Sequence, residues 1–278
     1  MCVPADKHQE TRLRVAPKQR MISCLVKKSM STVMANIMCY LYNETKYEKK
    51  VQRRNMTVWD KLQLCKGKNE NVLFSSAERR VKNTTRKDWS YSMITRDPVD
   101  RFLSGYVDRC VRLPQKMTPK VDGKGYYDEE EETPCNGCGY NLTCFVLTEY
   151  QVFMDHARDK DKNSTFEQRH FFPQNWKCNS VSLRNKYTFI RYSSDPTKEL
   201  MDDLFTLLRE RKVKGRQLEF IRNELTEQRN TSHTTILSPT RDFYNQRLRS
   251  SPFLMEYVVK MFYHDFIIFN YTFPQGFI

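Results

Sequence analysis

No stretch of this chain approaches the ~20 consecutive apolar residues that a membrane-crossing helix requires. The first twenty residues, MCVPADKHQETRLRVAPKQR, are polar and basic and lack the apolar core of a secretory leader. Glycine is sparse, 8 in 278 residues, and neither GxxxxGK[ST] nor GxGxxG occurs. That absence argues against ATP and dinucleotide cradles built on glycine-rich turns. No zinc-finger, RRM or homeodomain pattern is present and the basic residues are scattered, which disfavours a nucleic-acid module. No internal repeat or long linker divides the chain.

What is present is positive charge on a chain able to fold. Net charge is +14, with 39% hydrophobic and 13% aromatic residues, so a core is expected and wholesale disorder is not. The excess of Lys and Arg fits a polyanionic partner, although a merely solvated basic surface would look the same. Seven Asn-X-Ser/Thr acceptor patterns occur, at Asn43, Asn55, Asn83, Asn141, Asn163, Asn230 and Asn270. Nine cysteines accompany them. In an oxidising lumen Cys65, Cys110, Cys135, Cys138, Cys144 and Cys178 read as disulfide candidates, while Cys24 and Cys39, inside apolar segments, read as buried thiols. A single CxxC is a weak zinc pattern. Sequons and cysteines point to the secretory pathway, and the missing leader then implies an anchor or leader upstream of Met1.

Periodicity predicts strands at 20–26, 71–75, 90–95 and 187–192, and helices at 31–43, from Pro98 to about 111, and over 143–157. Beyond Pro196 the pattern is helical over 197–212, 215–229, 240–249 and 252–263, followed by the apolar DFIIFNY. Strands alternating with helices predict an α/β fold on a parallel sheet, with a helical C-terminal third. Residues 1–19 read as a tail and 20–278 as one domain, with 114–139 a surface loop insertion.

Two stretches carry the chemistry. In CLVKKSMSTVMANIM, a strand enters a helix through Lys27, Lys28, Ser29, Met30, Ser31 and Thr32. Helix-start N–H groups, a cation and short hydroxyls are the parts of an anion cradle. A Ser-capped helix behind a surface Lys pair fits the same residues. In YSMITRDPVDRFLSGY, Arg96 ends a strand and Ser104 stands eight residues later on the next helix. An Arg at the carboxyl end of a strand lies where open α/β sheets bind ligands, and its guanidinium can grip a phosphate. Pairing of Arg96 with Asp97 or Asp100 is the plainer alternative.

Taken in order, KKSMST and RDPVDRFLSGY resemble the two nucleotide motifs of sulfotransferases that use 3′-phosphoadenosine-5′-phosphosulfate (PAPS). RNTSHTT with RDFYNQRL, and FYHDFIIFNY, are similar to later segments of the Golgi carbohydrate sulfotransferases of the chondroitin and heparan type. One departure is Lys27, where the family pattern often has Pro. The resemblance implies a P-loop-NTPase-like sheet, PAPS as donor substrate, and an anionic glycan acceptor such as chondroitin. It assigns Lys28 to the leaving phosphate oxygen, and Lys27 through Thr32 to the 5′-phosphosulfate. Arg96 and Ser104 take the 3′-phosphate, with Thr234 and Thr235 lining the nucleotide. The resemblance places a general base between the second motif and the third strand; there His170 ranks first and Glu167 second, because imidazole titrates near neutral pH. Arg191 is an acceptor contact or half of an internal ion pair. No metal is required, since Lys, Arg and backbone donors can meet the anionic groups. A sulfotransferase fold without activity, or a secreted binder of heparin-like glycans, is the competing expectation.

Overall fold

The computed structural model describes residues 1–5, 11–52, 64–71, 77, 89–112, 134–159, 164–192, 199–227 and 238–277. They divide into two compact units, one made of Gln9–Arg96 with Lys177–Thr231, the other of Met1–His8, Asp97–Trp176 and Ser232–Ile278.

The first of these holds the whole described sheet. Its strands are β1 (Leu13–Ala16), β2 (Met21–Cys24), β3 (Glu70–Asn71), β4 (Ser90–Arg96) and β5 (Tyr187–Tyr192), in the order β3-β1-β2-β4-β5. β2, β4 and β5 run parallel, with Cys24 opposite Met93 and Arg96 opposite Tyr192. β2 is buried throughout and β4 nearly so, the continuous burial expected of central parallel strands. The sheet is nevertheless mixed: β1 pairs antiparallel with both β2 and β3. β1 lies in the stretch read from sequence as a tail, because four residues with one alternation are too short for a periodicity argument. A turn at Pro17–Gln19, closed by Arg20 at φ 50, folds it back onto β2.

Helices α1 (Ser31–Tyr42), α2 (Glu44–Gln52), α6 (Glu199–Glu210) and α7 (Gly215–Glu227) flank this sheet. The core joins Met21, Ile94 and Ile190 of the sheet to Ile37, Met38, Leu204, Phe205 and Ile221 of the helices. β5 is one of the two edge strands of the described sheet and leaves Thr188 and Arg191 exposed. A charged residue on an edge discourages further strand pairing.

The second unit is helical: α3 (Pro98–Tyr106), α4 (Leu142–Arg158), the short α5 (Gln168–Phe171), α8 (Pro239–Arg249) and α9 (Pro252–Ile268). α3 starts where sequence predicts, with Pro98 in the first turn and the Asp97 carboxylate accepting from Asp100 N–H at 2.9 Å. It passes into a π-type turn over Val107–Arg112. Gly105 is required by packing: a Cβ there would lie 2.7 Å from Phe171. An aromatic core of Phe102, Phe145, Phe153, Phe171, Phe172, Trp176 and Phe262 fills the unit. The N-terminal residues belong to it, since Val3 is buried and the Trp176 indole donates to the Pro4 carbonyl at 2.9 Å.

Four disulfides close the chain: Cys24–Cys178, Cys39–Cys65, Cys110–Cys135 and Cys138–Cys144. The expectation of buried thiols at Cys24 and Cys39 is thereby corrected. Both are buried as expected, but each faces a cysteine from a distant segment, a juxtaposition no local pattern can show. The described end of the 114–139 segment is likewise anchored, with Cys135 buried in its bridge.

One buried acid in the helical unit has a measurable consequence. The Glu149 carboxylate accepts from the Asn136 amide at 2.7 Å, and burial, with the Glu167 charge adding, pushes it up to about 8. Between the ordinary carboxylate range and about 8 the folded chain holds a proton that the unfolded chain has released. Stability from this group therefore falls as pH rises through that window. Glu149→Gln is expected to exceed wild type by roughly 1–3 kcal/mol at pH 8 and to match it near pH 5. Denaturant unfolding at both pH values measures the difference; equal offsets at the two would contradict it.

Candidate functional site

In the sheet unit, β2 ends at Cys24 and the chain reaches α1 through the turn that carries the first motif. Lys28 and Met30 sit in the left-handed region at φ 66 and φ 58, the conformation for which glycine is usually chosen. The scarcity of glycine therefore did not remove this turn geometry; it left two non-glycine residues holding it. Met30, not a serine, is the N-cap of α1, and its side chain makes no capping hydrogen bond. The N–H groups of a first helical turn have no intrahelical acceptor, and Ser31 and Thr32 belong to that turn. Ser29 is buried, its N–H donating to the Val26 carbonyl at 3.1 Å. Lys27 is buried, whereas Lys28, Met30, Ser31 and Thr32 are half-buried.

Arg96 closes β4, the parallel neighbour of β2. Only 4% exposed, it donates from Nη1 to the Lys28 carbonyl at 3.1 Å, and its guanidinium lies 4.8 Å from the centre of the Tyr192 ring. The two motifs, 68 residues apart, thus meet at the carboxyl edge of adjacent strands. Arg191 is not brought to them: it precedes Tyr192 on β5 and so points to the opposite face of the strand.

In the helical unit, Ser104 is buried on α3. Burial raises the Asp97 carboxyl, and the Asp100 N–H bond works against that rise. Asp100 binds Arg241 at 3.1 Å and lies 3.8 Å from Arg249, both on α8. α8 carries RDFYNQRL, so this later segment is fastened to the start of the helix bearing Ser104. Thr234 and Thr235 fall outside the described residues.

The two base candidates differ sharply. His170 is partly exposed at the end of α5; its Nδ1 lies 2.9 Å from the Phe166 carbonyl, and the ring meets Phe166 edge-on at 4.7 Å. A carbonyl only accepts, so Nδ1 carries the proton and Nε2 is the basic nitrogen of the neutral ring. Glu167 is buried, accepts from Cys135 N–H and lies 3.9 Å from Arg109. That carboxylate braces the disulfide-linked turn. The grouping of Cys110, Cys135 and Glu167 is no set of metal ligands, because the two sulfurs are bonded to each other. His156, whose helix position reads as surface, is fully buried, its Nε2 3.2 Å from the Gln168 side-chain oxygen.

Asn43 and Asn141 are exposed, and each side-chain oxygen accepts from a helix-start N–H, of Lys46 and Cys144. Asn55, Asn83, Asn163 and Asn230 lie outside the described residues. Sequence reading passed over Tyr192, Arg241, Arg101 and Asp265, and offered Asp100 only as a partner for Arg96, whereas it binds Arg241. Asp265 had a visible signal, a lone acid inside the apolar run FYHDFIIF, where a buried charge requires a partner. Burial raises the Asp265 carboxyl, while Arg101 and N–H donors of Gln174 and Asn175 oppose that rise.

Comparison with known proteins gives three findings. The model of the sulfotransferase family matches residues 11–272. Among curated proteins of Caenorhabditis elegans, the uncharacterized protein C18B2.2 is 50% identical over 99% of this chain and 73% of its own length. The putative sulfotransferase vep-2 is 41% identical over 88% of this chain and 72% of its own, and the carbohydrate sulfotransferase chst-1 is 28% identical over 97% and 78%. No solved structure matches the chain.

Proposed function

This chain belongs to the sulfotransferase family, and from that premise we propose that it moves a sulfo group from PAPS to a hydroxyl of a glycan. The observation that supports a nucleotide site most is the bond from Arg96 to the Lys28 carbonyl, which joins the turn before α1 and two cationic residues at one strand edge. PAPS supplies the sulfo group and carries phosphates at both ends. In the sheet unit, the first-turn N–H groups and hydroxyls of Ser31 and Thr32 hold the 5′-phosphosulfate, with Lys27, Ser29 and Met30 shaping the turn. Lys28 neutralises charge that builds on the departing phosphate oxygen. Arg96 holds the 3′-phosphate; the family resemblance assigns Ser104 to the same phosphate and Thr234 and Thr235 to the nucleotide.

His170 is the general base. Its Nε2 takes the acceptor proton as the acceptor oxygen forms its bond to sulfur and the bond from sulfur to the 5′-phosphate oxygen breaks, leaving adenosine 3′,5′-bisphosphate. The likeness to a carbohydrate sulfotransferase and the net charge of +14 support an anionic glycan acceptor of the chondroitin class. Four disulfides support a Golgi or other secretory-lumen location, where thiols oxidise. Among the described residues no helix is long and apolar enough to cross a membrane.

Labelled sulfate from PAPS is expected to appear on desulfated chondroitin or heparan, with saturable binding of adenosine 3′,5′-bisphosphate. Bisphosphate binding without transfer to any of a panel of glycans and small alcohols would leave a nucleotide-binding fold and reject the transferase. Glycan binding with a steep salt dependence and no nucleotide binding would favour the heparin-like binder instead.

A further inference from the structure

The segment HFFPQN, residues 170–175, is gripped from both sides by two buried charges that no motif reading singled out. Arg101, 1% exposed on α3, donates to three successive carbonyls: His170 at 3.2 Å, Phe171 at 2.7 Å and Phe172 at 2.8 Å. Asp265, fully buried on α9, accepts from the other end. Its Oδ2 takes the Gln174 N–H at 2.8 Å, and its Oδ1 takes the Asn175 N–H at 2.8 Å and the Asn175 amide at 2.7 Å. Pro173, between the two grips, has no N–H to offer. The Phe262 ring, 5.3 Å from the Arg101 guanidinium, covers the cation.

Such an arrangement exceeds what a turn of six residues needs in order to fold. A planar guanidinium has donors in a rigid fork, and here they span consecutive carbonyls that would otherwise be buried at a cost. Taking two full charges out of water is expensive and rarely serves stability alone. The residue at the head of the gripped segment is His170, whose carbonyl is one of the three and whose Nδ1 is tied to Phe166.

We propose that Arg101 and Asp265 are positioning residues: together they fix the 170–175 backbone and thereby hold the His170 imidazole in the Nδ1–H tautomer, with Nε2 presented to the acceptor hydroxyl. The catalytic consequence rests on the reading of His170 as the base. The geometric one does not. A base misplaced by about 1 Å can cost on the order of 100-fold in turnover, and a wrong tautomer removes the lone pair outright.

Arg101→Lys and Asp265→Asn test this in the full chain, beside His170→Ala. Lys keeps the charge but cannot span three carbonyls; Asn keeps the shape but loses the charge. Long-range proton–nitrogen NMR spectra, assigned by the signal missing in His170→Ala, are expected to show His170 as the Nδ1–H form in wild type. A mixture of tautomers is expected in both variants. Turnover is expected to fall about 10- to 100-fold, with the dissociation constant of adenosine 3′,5′-bisphosphate within threefold of wild type. Unchanged tautomer and turnover in either variant that folds would overturn the proposal. A changed tautomer with His170→Ala fully active would uphold the positioning and reject His170 as base. Should Asp265→Asn fail to fold, Arg101→Lys carries the same readouts.

Discussion

Arg96→Ala is expected to weaken binding of adenosine 3′,5′-bisphosphate by a factor on the order of 1,000. Hydrogen bonds to charged groups contribute roughly 1.5–3 kcal/mol each, and a guanidinium on a phosphate makes two. Losing both costs about 4 kcal/mol, or about three decades in affinity. The substitution also strips the Lys28 carbonyl of its donor and the Tyr192 ring of its cation. The left-handed backbone at Lys28 and Met30 then loses the contact that spans both motifs. Arg96→Lys separates the two contributions, because an ammonium retains charge but lacks the planar fork needed to meet carbonyl and phosphate together. It is expected to fall between wild type and Arg96→Ala, about 10- to 100-fold down. Titration calorimetry with the bisphosphate measures both variants. Affinity within threefold of wild type in Arg96→Ala would remove Arg96 from the nucleotide site, whatever became of sulfotransfer.

The second large effect concerns stability. Replacing Cys24 and Cys178 together by alanine is expected to lower the unfolding free energy by about 4–5 kcal/mol. These residues are 154 apart in sequence, so the bridge removes much of the freedom of the unfolded chain. The other three disulfides lie inside that span and shorten the effective loop, to about 100 residues, but the dependence on length is logarithmic. Cys138 and Cys144 are only 6 apart, and the same reasoning gives their paired replacement about 2 kcal/mol. Denaturant unfolding of both double variants with the remaining bridges intact compares them. If the short loop costs as much as the long one, loop entropy is not what the Cys24–Cys178 bridge supplies. A loss of this size is a large part of a typical domain's 5–15 kcal/mol. The bridge ties the end of β2, just before the first motif, to the segment leading into β5.

Much of this was legible in the chain itself, for identifiable physical reasons. Strand β4 and helix α3 follow from a local code: an apolar run, then Asp97 as cap, Pro98 in the first turn and apolar residues at helical spacing. β4 lies within a residue of where that code puts it, and α3 starts at the expected Pro98 but gives way to the π-type turn after Tyr106 rather than running on to about 111. The two motifs could be found because each is a contiguous string whose spacing is imposed by one strand and one helix. Overall charge, sequon density and cysteine count are sums over residues and need no fold. The family, too, was readable from the order of short strings along the chain.

Contacts between distant segments are a different matter. Whether Lys28 and Arg96 meet depends on β2 lying beside β4 in parallel, and the strand order is set by packing over the whole sheet. Cys24 and Cys39 looked like ordinary buried thiols because a disulfide is a coincidence of two positions, and only the fold supplies the second. β1 escaped detection because four residues acquire their strand identity from partners on either side rather than from their own pattern. Glu167 and His170 stand three residues apart, and sequence ranks the histidine first only on the intrinsic chemistry of imidazole. Their surroundings come from tertiary structure, which buries the carboxylate against Arg109 and Cys135 and leaves the imidazole at a partly exposed helix end. The sequence by itself determined the elements, the charge and the motifs, because propensity, capping and composition act over a few neighbouring residues. The tertiary structure alone decided the strand order, the disulfide partners and the buried Arg101 and Asp265 grip, because those depend on which distant residues share one dry interior.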